Sequence, residues 1–191
     1  MLNDPILVPQ QDMDIVKTDH GMRLLLSLWW QFRQDGGDNV PTRLQMDPCI
    51  LPRPALPFMF IYERVGTRLR CRLAGTKMRD IFGMDATGRF IDELVAPQAL
   101  PARAALFHNS LDLGMPVFYR GYLVPAGRDW RRFHRLLLPV APRGSAQATQ
   151  IMGLLRVFET PSNKSDLPSA DGDGLISSRL LDAADCQAVR Y

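Results

Sequence analysis

Two hydrophobic periods take turns along this chain. From Asp19 to Gln34 the apolar positions have helical spacing: Leu24, Leu25, Leu28, Trp29 and Phe32 share one stripe, and Gly36-Gly37 ends it. Trp29 and Trp30 adjoin, so only one can lie along the stripe's centre. Phe58-Met-Phe-Ile-Tyr62 is an apolar strand, followed by a turn around Arg64-Val-Gly66. Residues 68–74 then alternate strictly, with Arg68, Arg70 and Arg72 on one face and Leu69, Cys71 and Leu73 on the other, which is the period of a half-buried strand. The two strands form a hairpin. Gly75 ends the second, Thr76 is placed to cap a short helix with stripe Met78, Ile81 and Phe82, and Gly83 stops that helix. After Gly88, residues 89–95 lead to Pro97 and a longer helix marked by Leu100, Ala104, Phe107 and Leu111 and closed by Gly114. Three further strands are predicted at 115–124, 130–140 and 150–158, joined by a turn at Pro125-Ala-Gly127 and a loop at 141–145.

The pattern divides the chain into an arm at 1–18, a leading helix at 19–37, a connector at 38–57, a core at 58–159 and a polar tail at 160–191. The arm carries Pro5 and Pro9, has no clear period, and would dock through Ile6, Leu7 and Val8. In the connector, Pro41, Pro48, Pro52, Pro54 and Pro57 remove amide donors and restrict their neighbours, leaving room for one helical turn after Asp47-Pro48. The tail starts as a Ser/Asp/Gly/Pro linker reaching Gly174, followed by at most one short helix over 175–189 with Ile176, Leu180 and Ala184 aligned. The sum is an α+β domain: a five-stranded antiparallel sheet covered on one face by helices, with an extra N-terminal helix.

Composition narrows this further. A length of 191 residues suits one domain with extensions. Hydrophobic content of 46% with 23% charged residues is that of a soluble globular chain. A net charge of +3 permits an acidic partner without requiring one. Cys49, Cys71 and Cys186 are odd in number and lack a C-x-x-C, which argues against a disulfide framework or zinc site and for a reducing compartment. No run resembles a signal peptide or reaches the length of a membrane span, so a cytoplasmic location is expected.

Several pieces occur in a telling order: the Trp-rich leading helix, Pro-Thr-Arg43, Asp47-Pro48, Arg72-Leu-Ala-Gly-Thr76, Phe82-Gly83, Thr87-Gly-Arg89 and Leu-Leu-Pro139. On these, residues 22–158 resemble the PAS superfamily, in its branch of small stand-alone bacterial proteins. One departure is Pro52 and Pro54, which make the connector irregular where that branch has a short helix. The resemblance implies a sensory or regulatory module that binds a small ligand or a signalling protein.

The candidate ligand residues are Cys71, His108, Tyr119, Tyr122, Trp130 and His134. His108 lies on the long helix, where haem-binding PAS sensors place an iron ligand; the plainer reading is a surface or hydrogen-bonded histidine. No Asn-Cys-Arg-Phe motif of the flavin photoreceptors is present, and Cys71 reads as a small buried hydrophobe. The cofactor is therefore left open. Arg128-Asp-Trp-Arg-Arg-Phe-His-Arg135 is the densest basic run, and its interleaved aromatics offer a nucleotide or nucleic-acid strand as an alternative function. The competing reading is a solvated strand face. The Arg131-x-x-x-Arg135 spacing fits a cyclic dinucleotide, although the accompanying Asp-x-Ser-x-x-Gly is missing. No catalytic triad, paired carboxylates, phosphate loop or metal spacing occurs, so a small enzyme using the cavity is only a further alternative. A homodimer is expected through Leu25, Leu28, Trp29 and Phe32 of the leading helix, with Arg72 and the exposed sheet face as a second contact.

Overall fold

The structure, a computed structural model, describes residues 10–123, 131–158 and 174–189. Two helices come first, α1 (Gln10–Thr18) and α2 (His20–Asp35), followed by 3-10 turns at Pro48–Ile50 and Leu56–Phe58. The hairpin β1 (Met59–Val65) and β2 (Arg68–Ala74) leads to α3 (Thr76–Phe82), a 3-10 turn at Ile91–Glu93 and α4 (Leu100–Leu113). Then come β3 (Val117–Leu123), β4 (Arg131–Val140), β5 (Gln150–Phe158), β6 (Leu175–Leu180) and α5 (Ala183–Gln187). The strands form one antiparallel sheet in the order β2-β1-β5-β4-β3-β6.

The expected five strands appear where the apolar pattern puts them. The sheet nevertheless has a sixth, β6, which pairs with β3 from Val117↔Leu180 to Gly121↔Leu175. This corrects the single helix expected over 175–189, which shrinks to α5. The free edge of β3 offers unpaired backbone groups, and Leu-Ile-Ser-Ser-Arg-Leu satisfies them as a strand. Asp182 then caps α5 by accepting from the amide of Asp185.

A second correction concerns the layers. Helices cover both faces of the sheet. On one face, α1, α2 and α5 bury Met13, Val16, Met22, Leu25, Leu26, Trp29 and Cys186 against Ile61, Phe118, Leu136, Leu138, Met152 and Leu154. On the other, α3 and α4 bury Met78, Ile81, Phe107 and Leu111 against Phe60, Tyr62, Leu69, Cys71, Tyr119, Leu137 and Leu155. The chain before Thr18 is thus in part a helix, not an arm without period. Its buried face is short, Met13 and Val16, and is completed by the carboxylate of Asp12. The expected docking by Ile6, Leu7 and Val8 lies outside the described residues, as do the 125–127 turn, Trp130 and nearly all of the 160–174 linker.

The buried stripe of α2 is Met22, Leu25, Leu26, Trp29 and Trp30, rotated from the expected one. Both tryptophans are buried in the cluster that α1, α2 and α5 form with the sheet. Trp29 donates its Nε1 hydrogen to the Pro139 carbonyl at 2.7 Å. Asp19 has two tasks: it accepts from the Met22 amide as the helix cap and pairs with Arg156 of β5 at 2.7 Å. At Gly21 a Cβ would stand 3.0 Å from Leu154 Cδ1 and 3.1 Å from Ala55 Cβ, so glycine permits this close approach of helix and sheet.

Two local expectations also change. Gly75, not Thr76, is the residue that caps α3, and no side chain caps it. Gly83 does end the helix in the left-handed region, at φ 72°. In β2 the ladder shifts between Ile61↔Leu73 and Tyr62↔Cys71, leaving Arg72 as a bulge. Leu69 and Cys71 therefore pack under α3 and α4, whereas Leu73 packs on the α2 side.

Candidate functional site

The face under α4 carries more polar chemistry than the face under α2. The alternation of β4 places Phe133, Arg135 and Leu137 on this side, and cross-strand pairing sets Arg135 opposite Tyr119 of β3. Arg135 is 5% exposed, and its Nη1 donates to the Tyr119 hydroxyl at 2.9 Å. Its guanidinium carbon lies 5.0 Å from the Phe60 ring centre, 5.8 Å from that of Phe107 and 5.8 Å from that of Tyr119. The Nε hydrogen of Arg135 is buried without an acceptor among the described residues.

Arg103 approaches from α4, 4% exposed. Its guanidinium rests against the Tyr119 and Phe133 rings at 5.4 and 4.9 Å. Tyr62 packs edge-on against Phe60 and Phe107 at 5.7 and 5.3 Å. Burial pushes the Tyr62 hydroxyl far above its usual range and the Cys71 thiol up to about 11, so both stay protonated. Arg135 is close enough for its charge to oppose both shifts.

Magnitudes show that Arg135 is under-compensated. Burying a guanidinium costs several kcal/mol after relaxation. A hydrogen bond to a charged group returns about 1.5–3 kcal/mol, and each cation–π contact about 0.5–2 kcal/mol. One hydrogen bond and three rings offset part of the cost, and a donor is left over.

The sequence candidates divide between the two faces. Cys71 and Tyr119 do lie in this cluster. His134 and Tyr122 alternate onto the opposite face, beside Arg120. There His134 packs on Phe118 and Phe158 at 6.1 and 4.6 Å. Burial, reinforced by Arg120 and Arg132, pulls the His134 imidazole down to about 4, so it is neutral near pH 7. His108 is half-buried beside the Phe107–Leu111 stripe. The rings of Phe60 and Tyr62 pack on Phe107 there. Trp130 lies outside the described residues.

The interface candidates change as well. Leu25 and Trp29 are wholly buried against the chain's own sheet and are unavailable to a second copy. Leu28 and Phe32 are half-buried. The second sheet face is covered by α1 and α2, so it offers no contact surface. Arg72 is exposed and pairs with Glu63 at 2.9 Å. Arg128 lies outside the described residues, and the described part of the basic run, 131–135, does not form one cationic strand face either. Arg132 is exposed and Arg135 is buried, and alternation points them to opposite sides.

Sequence reasoning offered Arg135 only within the basic run and Phe107 only as part of the helix stripe, and it missed Arg103, Phe60 and Tyr62 as site residues. A signal for Arg135 was present: in Phe133-x-Arg135-x-Leu137 it shares its face with two apolar residues. Away from this cluster, a cleft of about 350 Å³ lies between the end of α2 and the β4–β5 loop, bordered by Phe32, Asn39, Thr42, Gln45 and Ser145 without a charged side chain. Among the described residues no group of three or more His, Cys, Asp or Glu is placed to hold a metal. No described helix is long and apolar enough to cross a membrane.

A family model described as a PAS domain matches the chain over residues 18–156. The chain belongs to the PAS domain family. PAS domains are in general sensory, non-enzymatic modules. Solved structures with a similar fold include a light-oxygen-voltage domain studied with a flavin analogue, at 12% identity and a TM-score of 0.46, covering 56% of this chain and 81% of that one. The light-oxygen-voltage protein of Rhodobacter sphaeroides is 14% identical with a TM-score of 0.44, covering 55% of this chain and 61% of that one. A PAS domain from Colwellia psychrerythraea is 12% identical with a TM-score of 0.41, covering 55% and 92%. No curated protein matches the chain.

Proposed function

We propose that this PAS domain is a non-enzymatic, cytoplasmic sensory module that takes a small ligand between its sheet and α4 and passes the ligand state to a protein partner. The observation that carries the reading is the polar cluster of Tyr62, Cys71, Tyr119, Arg135 and Arg103, held among the aromatic and aliphatic side chains under α4. Stability alone does not call for such a cluster, since buried charged groups replaced by well-packed apolar ones often cost nothing. The three cysteines are free thiols, in keeping with a reducing compartment. The partner surface is the outer side of the α1–α2 layer, where Leu28 and Phe32 keep part of their apolar surface in water, and a second copy of the chain is the first occupant to test.

Native mass spectrometry of the full chain purified from its own host, beside a denatured control, tests both parts. A mass excess lost on denaturation is expected. Protein that is bare at every concentration counts against the ligand. A monomer throughout counts against the second copy and leaves a separate signalling protein.

A further inference from the structure

We propose that the ligand of this layer is a small organic carboxylate, held by the guanidinium of Arg135 and the hydroxyl of Tyr119. The proposal rests on the reading above that the layer under α4 is the ligand site. Elsewhere in the molecule, strand arginines that leave solvent meet a carboxylate: Arg120 meets Asp12, Arg156 meets Asp19 and Arg179 meets Asp185, at 2.7, 2.7 and 2.6 Å. Arg135 is more buried than any of these three and pairs with no Asp or Glu among the described residues. Its Nε hydrogen has no acceptor among the described residues. Tyr119 accepts from Nη1, which leaves its own hydroxyl proton to give. Two donors in one layer are therefore available to one anion. The Arg103 charge against the other ring contacts of Tyr119 raises the local positive potential.

The shape of the donor set favours a carboxylate over a halide, because a guanidinium edge and a carboxylate are both planar. The walls decide the rest of the ligand. Phe60, Phe107 and Phe133 offer ring faces and edges and no further hydrogen bonds, so the remainder of the molecule is small and apolar or aromatic. Binding requires the rings to separate, since Phe60, Tyr62 and Phe107 now pack on one another.

The test is calorimetric titration of the full chain with acetate, benzoate and phenylacetate, each beside its neutral amide. At least one acid is expected to bind while its amide does not. Arg135→Gln should weaken that binding by about 100-fold and Tyr119→Phe by about tenfold, as expected for losing a buried charged partner and a single hydrogen bond. Arg132→Gln, an exposed neighbour on the same strand, should leave it unchanged. Tyr119→Phe removes only one oxygen and keeps the test valid should Arg135→Gln not fold. Acids and amides binding alike, or none of the acids binding, overturns the proposal. A neutral molecule released from host-purified protein also overturns it, yet leaves the sensory reading standing; bare protein from the host with no acid binding sinks both.

Discussion

The two faces of the sheet are built by different rules. Under α1, α2 and α5, polar groups that enter the core mostly bring their partners: Trp29 donates to Pro139, Asp19 caps α2 and holds Arg156, and Arg179 pairs with Asp185. Asp12 is wholly buried with Oδ1 on Arg120, although its Oδ2 and the Nε1 of Trp30 have no partner among the described residues. Under α3 and α4, an aromatic layer encloses Arg135, which has one hydrogen bond and no carboxylate among the described residues. Burial of similar depth thus comes with a carboxylate partner for the arginines on one side and, among the described residues, without one for Arg135 on the other.

The largest effect should come from the fastened face. Trp29→Ala removes a wholly buried ring and its hydrogen bond, and denaturant unfolding should show a loss of about 3–5 kcal/mol. Arg135→Met should behave in the opposite way. Removing an under-paired buried charge is expected to leave ligand-free stability unchanged or raise it by about 1–4 kcal/mol. A loss comparable to that of Trp29→Ala would erase the distinction between the faces.

A pH effect should come next. The imidazole of His134 has a folded pKa near 4, below its usual value of 6.5, so the unfolded chain binds the proton more readily. Its contribution to stability is full above pH 6.5 and is lost as pH falls toward 4. Melting temperature should fall across that window, and His134→Gln should flatten the fall. Asp19 works lower: burial raises its pKa, but the Arg156 hydrogen bond and the Met22 amide outweigh this and hold it below 3.8. The smallest effect should be that of Arg72→Ala. This exposed partner of Glu63 leaves Arg70 in place, and thermal melts should shift by less than about 1 kcal/mol in stability.

Much of the fold was legible because its signals are local. Alternation in residues 68–74, the apolar run at 58–62 and the stops at Gly83 and Gly114 depend on the pleat, the helical repeat and left-handed backbone, none of which needs a distant partner. Cys71 was recognisable as a buried residue on the same grounds, whereas alternation left Tyr119 and Tyr122 as equal candidates. Alternation says which residues share a face; it does not say what covers that face. Only the packing of α1 and α2 onto one side, and of α4 onto the other, separated His134 from Tyr119 and turned Trp29 from a dimer contact into a core residue. The same holds for β6, whose six residues suited either structure until the edge of β3 supplied a ladder. Arg135 is the clearest case. Its chemistry was visible as part of a basic run, but its isolation from water and from every described carboxylate is a fact of long-range packing between strands and α4.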